Sequence, residues 1–150
     1  MKGGGVTATL PATGSIVLVT RLARLIYRSS TEELVGMNIK NLGVLAYLRD
    51  HPEVSQQTLV NELCIDTNTG VLVLNDLEDA DFVERRRDPS DRRRHIVNIT
   101  GEGLAALEAA ERAQGSIEDE ILGGLSREER GVFRRLLMQA LESHAGDAGG

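Results

Sequence analysis

One short segment interrupts an otherwise helical pattern and limits what this chain can become. Phe82-Val83-Glu84-Arg85-Arg86-Arg87 and His95-Ile96-Val97-Asn98-Ile99 read as two short strands, and Asp88-Pro89-Ser90-Asp91 between them is a strong turn signal. On either side, apolar residues recur at helical spacing. The expected fold is therefore mainly α with one small β-hairpin.

The helices can be placed from their caps and breakers. Leu18, Leu22, Leu25 and Ile26 mark a first helix from Ser15 to about Val35. Asn38 can cap a second, carrying Leu42, Leu45, Ala46 and Leu48 and stopping near His51-Pro52, because proline disfavours helix at the residue before it. Ser55 caps Gln56–Leu63, and Asp66 or Thr67 caps a helix to about Asp79 with Val71, Leu74 and Leu77 as its stripe. After the hairpin, Thr100 opens a long helix that Gly123-Gly124 breaks near Leu122. Ser126-Arg127-Glu128-Glu129 forms a capping box for the last helix. There is no internal repeat and no linker. Residues 15–143 are expected to form a single domain between flexible tails at 1–14 and 144–150.

Composition removes several function classes. At 150 residues and 41% apolar content the chain has enough material for a core. It contains two Tyr, two Phe and no Trp, so that core must be aliphatic. A single cysteine, Cys64, excludes an intrachain disulfide. The N-terminal residues do not resemble a signal peptide, and no apolar run approaches the ~20 residues of a membrane span. A cytoplasmic protein without membrane association is expected. His51, His95 and His144 lack metal-ligand spacing and no glycine-rich phosphate loop is present, so neither a metal, a cofactor nor catalysis is expected.

The net charge of −6 argues against nucleic acid only until its location is considered. Residues 85–94 contain six Arg and two Asp, giving +4 and leaving −10 on the other 140 residues. Arg outnumbers Lys by 15 to 2. Guanidinium groups bond phosphate through two N–H groups and fit a narrow minor groove. On a hairpin following two short helices, these arginines form a wing beside a helix-turn-helix.

The stretch from Ser55 through Gly103 resembles the winged helix-turn-helix of the MarR family of bacterial transcriptional regulators. The resemblance is carried by residues 77–85 (Leu-Glu-Asp-Ala-Asp-Phe-Val-Glu-Arg), by Arg87-Asp88-Pro89-Ser90-Asp91-Arg92-Arg93-Arg94, and by Ile99-Thr100-Gly101-Glu102-Gly103. It implies a winged helix-turn-helix at about 38–100 and dimerisation helices at about 15–35 and 101–143. It also implies a homodimer that sets two recognition helices in successive major grooves, ~10 bp apart. The broad apolar stripe Val132, Phe133, Leu136, Leu137, Ala140 and Leu141 is consistent with such a dimer.

Asp91 and Arg93 match the family's Asp-x-Arg wing signature, in which the Arg enters the minor groove and the Asp holds the wing's shape. Arg92, Arg94 and Arg86 are the expected neighbours on or near phosphate. Which arginine points inward depends on hairpin register. Bases would be read by Thr67, Asn68, Thr69, Leu72 and Val73, with Asn68 suited to adenine and Thr69 and Val73 to thymine methyls. Two departures from the family stand out. Asp81 occupies the position of a glycine that often needs a left-handed backbone. Gly70 sits inside the recognition helix at a cost of ~1 kcal/mol, either to allow close approach to a phosphate or a helix, or as drift. No Arg or Lys lies near Leu72, so base readout is expected to be weak.

Family members commonly bind aromatic or phenolic acids, and Arg21, Arg24 and Arg28 offer cations at helical spacing with Tyr47 and His51 as possible walls. Cys64, lacking a cationic neighbour, is expected to be a small buried residue. The resulting reading is a ligand-responsive dimeric DNA-binding repressor. The alternative is a winged-helix protein-interaction module with little sequence-specific DNA binding.

Overall fold

The computed structural model describes residues 13–29 and 37–145. Its elements are α1 (Ser15–Ser29), α2 (Ile39–Asp50), β1 (Val54–Ser55), α3 (Gln56–Glu62), α4 (Thr67–Asp79), β2 (Val83–Asp88), β3 (Asp91–Ile99), α5 (Gly101–Ile121) and α6 (Arg127–Ala145). The expected extension of the first helix to residue 35 and most of the two expected tails lie outside the described residues. The last helix runs to Ala145, two residues past the expected boundary.

Helices start where a side chain accepts a free backbone N–H. Asn38 accepts from Asn41, Ser55 from Thr58, Asp66 from Thr69, and Thr100 from Gly103. Of the two candidates before α4, Asp66 is the cap. At the start of α6 the box closes in both directions: Ser126 N–H donates to Glu129 Oε1 at 2.8 Å, and Glu129 N–H to Ser126 Oγ at 3.1 Å.

Both helices of the helix-turn-helix end in Schellman motifs. After α4, Phe82 N–H reaches Leu77 O (2.8 Å) and Asp81 N–H reaches Glu78 O (3.0 Å), with Asp81 at φ 64°. After α3, Ile65 N–H reaches Val60 O and Cys64 N–H reaches Asn61 O, both at 3.2 Å, with Cys64 at φ 54°. Cys64 is therefore an exposed left-handed cap residue, not the small buried one expected. Motif geometry, not packing, sets its environment.

The core is aliphatic. Leu45, Leu48, Leu59, Leu74, Leu77, Val97 and Leu107 are fully buried, joining α2, α3, α4, β3 and α5 in one cluster. Three antiparallel strands lie in the order β1-β3-β2. Sequence reasoning missed β1, where Val54 pairs with Val97 and Ser55 with Ile96. Two residues are too few for an alternating pattern to register, and Ser55 also serves as the cap of α3. Two glycines mark close approaches. A Cβ on Gly70 would lie 2.6 Å from Val60 Cγ2, and one on Gly103 would lie 2.1 Å from the Phe82 carbonyl oxygen. Gly70 thus serves the contact between α3 and α4.

Candidate nucleic-acid interface

The recognition helix α4 turns Gly70, Val73, Leu74 and Leu77 toward the core, a spacing of i, i+3, i+4 and i+7. Val73 is only 7% exposed and packs in the main cluster, so it cannot also touch thymine methyls as expected. Thr67, Asn68 and Leu72 are exposed, and Leu72 keeps 65% of its surface. Thr69 is half-buried, and its hydroxyl donates to Asp66 Oδ2 at 2.8 Å. Hydrogen bonds from the Thr69 backbone and hydroxyl hold the Asp66 carboxyl below its usual range. The open face of α4 therefore presents Thr67, Asn68 and Leu72.

The wing has an uneven ladder. Arg85 pairs with Val97, Arg86 with Ile96 and Arg87 with His95, and the next pair is Asp88 with Asp91. Arg92, Arg93 and Arg94 consequently face no residue on β2 and form a bulge at the hairpin tip. All three are exposed, and Arg93 keeps 90% of its side-chain surface. Simple strand alternation therefore does not apply to these three residues.

Five residue pairs shape the wing. Asp91 Oδ1 accepts from both the backbone N–H and the Nε of Arg93 at 3.1 Å. Asp88 Oδ1 accepts from the Ser90 hydroxyl (2.7 Å) and backbone N–H (2.9 Å). Arg87 Nη1 donates to the Arg92 carbonyl at 2.6 Å, bracing the bulge from β2. Arg85 Nη2 donates to Glu78 Oε1 (2.8 Å) and Asn75 Oδ1 (2.6 Å), tying the wing to α4. The hydrogen bonds from Arg93 and Ser90 lower the Asp91 and Asp88 carboxyls respectively, and the bond from Arg85 lowers Glu78.

Arg86, expected near phosphate, is instead paired with Glu53, which also accepts from Asn98. Sequence reasoning missed Arg85, Arg87 and Glu53. Only the clustering of arginines hinted at the first two, and Glu53 carried no signal at all.

The expected effector residues are not gathered in one place. Arg21, Arg24 and Arg28 are exposed along α1. Tyr47 and His51 stack on each other, with centroids 4.0 Å apart and planes 12° from parallel. Burial, then the Glu62 charge, raises the Tyr47 hydroxyl pKa. A cleft of about 730 Å³ opens among α1, α5 and α6, with Leu22, Ile26, Ile117 and Phe133 beside Arg130 and Arg134. None of the five expected residues lines it.

A bulged arginine tip tied to a capped recognition helix sits within a match to the MarR family model at residues 37–95. The chain is also 31% identical over 111 residues to transcriptional regulator HosA of Escherichia coli O111:H-, covering 74% of this chain and 82% of HosA. The chain belongs to the MarR family. It is similar to the PcaV transcriptional regulator from Streptomyces coelicolor, solved with its natural ligand, at TM-score 0.67 and 25% identity over 87% of this chain and 94% of PcaV. The fold is shared with S. aureus MepR in its DNA complex, at TM-score 0.66 and 21% identity over 87% and 98% of the two chains. This MarR-family protein is thus a winged-helix, DNA-binding transcriptional regulator and not an enzyme. Among the described residues, no helix is long and apolar enough to cross a membrane.

Proposed function

We propose that this MarR-family regulator acts as a homodimeric repressor, released from a pseudo-palindromic operator by a small aromatic or phenolic acid. The observation that carries the dimer is the exposure of large apolar residues on the two helices outside the core. Ile16, Val17, Leu18 and Val19 on α1 and Val132, Leu136, Leu137, Met138 and Leu141 on α6 are all open to solvent. Neither helix contributes a buried residue to the core cluster. Covering such surface is worth roughly 25 cal/mol per Å², and a second copy can cover it symmetrically.

Two-fold symmetry would present two α4 helices to successive major grooves, with Thr67, Asn68 and Leu72 over the bases. The bulge would lay Arg93 in the minor groove and Arg92 and Arg94 on adjacent phosphates, with Asp91 orienting Arg93. A carboxylate effector would enter the cleft among α1, α5 and α6, where Arg130 and Arg134 stand beside Leu22, Ile26, Ile117 and Phe133, and the ligand complex of PcaV supports a ligand-responsive reading.

Sedimentation equilibrium should report a dimer, and mobility shifts should show aromatic acids releasing a duplex that the protein selects from random sequence. Arg93→Ala should lower affinity by ~1–3 kcal/mol and reduce its salt dependence. A monomer at micromolar concentration would overturn the dimer. If no duplex is selected at all, the protein-interaction reading replaces this one.

A further inference from the structure

A polar brace ties the residue before β1 to both strands of the wing. Glu53 immediately precedes β1 and holds φ 58°, a left-handed backbone that glutamate adopts only at a cost. Its backbone N–H donates to Asn98 Oδ1 at 2.8 Å. Its carboxylate accepts from Asn98 Nδ2 on β3 and from Arg86 Nη2 on β2. Continuing the β1–β3 register places Glu53 opposite Asn98, while Arg86 pairs with Ile96, two residues along the same strand. The next rung, Arg87 with His95, is the last before the ladder breaks into the arginine bulge.

The brace joins the loop after α2 to both wing strands, one rung from the last pair before the arginine bulge. It also gives Arg86 a carboxylate partner that a phosphate would have to displace. Arg86 and Glu53 side chains retain 46% and 58% exposure, so the pair sits at the solvent edge where DNA would approach.

We propose that Glu53 is a positioning residue for DNA binding, one that withholds Arg86 from phosphate and uses it to fix the root of the wing. This rests on the reading that the wing docks on DNA. Arg86 is then a strut, and the phosphate and groove contacts fall to Arg92, Arg93 and Arg94.

The test is the salt dependence of binding, measured by fluorescence anisotropy with a labelled duplex that the wild-type protein selects from random sequence. The slope of log affinity against log salt counts phosphate contacts, at about one unit per cation. Arg86→Ala should weaken binding several-fold with the slope unchanged, because a strut is lost and not a contact. Glu53→Gly removes the carboxylate while relieving the left-handed backbone, so it should fold as well as wild type. It should steepen the slope by about one as Arg86 becomes free to reach phosphate, and it should narrow the affinity ratio between selected and scrambled duplexes. Glu53→Gln, which keeps hydrogen-bonding capacity without the charge, should fall between wild type and Glu53→Gly. A slope that drops by about one in Arg86→Ala, with none gained in Glu53→Gly, would overturn the proposal and make Arg86 a phosphate contact. Failure of the underlying wing reading looks different: Arg93→Ala would then leave both slope and affinity at wild-type values.

Discussion

Glu53, Cys64 and Asp81 hold positive φ without being glycine, and each stands where the chain must turn sharply. Left-handed backbone costs an ordinary residue roughly 1–2 kcal/mol, and somewhat less for Asp. Asp81 closes the Schellman motif of α4, and its carbonyl accepts the Thr100 hydroxyl at 2.6 Å, so the conformation is imposed from both sides. Replacing Asp81 by Gly should therefore stabilise the protein by about 1 kcal/mol, read as a higher urea midpoint at unchanged m-value. Gly103 is the opposite case. Any Cβ there meets the Phe82 carbonyl oxygen, whose position is held by the Thr100 N–H at 3.0 Å. Gly103→Ala should cost about 3 kcal/mol in the same assay, and near-wild-type stability would show that the β2–α5 junction gives way.

At the scale of elements, α4 trades helix propensity for proximity. Alanine at Gly70 would gain about 1 kcal/mol in an open helix, but here it collides with the stiff, branched Val60 of α3. Gly70→Ala alone should destabilise, and its effect should turn favourable in a Val60→Ala background, a coupling that a double-mutant cycle measures directly. The carboxylates that cap α4 and shape the wing also link stability to pH. Asp66, Glu78, Asp88 and Asp91 all have folded-state pKa values below their ordinary ones. The unfolded chain therefore binds protons first as pH falls, and stability must rise with pH across this window. Thermal midpoints should be flat above about pH 5 and fall as pH drops through 4 toward the folded values. Asp66→Asn, which keeps a capping oxygen but cannot titrate, should flatten that decline.

On the scale of the whole molecule, one core serves the DNA-reading lobe while α1 and α6 are left with uncovered apolar faces. Because neither helix supplies core residues, a charge placed on their outer faces should dissociate the proposed dimer without unfolding its subunits. Leu141→Glu combined with Leu136→Glu should give a monomer in sedimentation, with helical content by circular dichroism retained and affinity for the selected duplex lost. Loss of helicity instead would mean that the reading lobe depends on the partner for its fold. The acidic remainder of the chain, −10 outside the wing segment, should on average repel DNA and leave the arginine bulge as the attractive surface.

Local chemistry was legible from the sequence. Asn38, Ser55, Thr100 and the Ser126/Glu129 box cap the helices they were expected to cap, because capping involves partners three residues away. The turn at Asp88–Asp91 and the arginines on a hairpin beside a helix-turn-helix follow from residue type and order alone. What required the tertiary structure were the contacts between distant segments. Val73 went to the core and not to the DNA-facing side, since the helix rotates to bury Gly70 against Val60. Cys64 became an exposed cap because α3 had to stop within two turns of its start. Arg86, identical in sequence terms to its neighbours, was separated from them by Glu53, 33 residues earlier. Residue identity set the charge of the wing; which of its arginines remain available was decided by the strands around them.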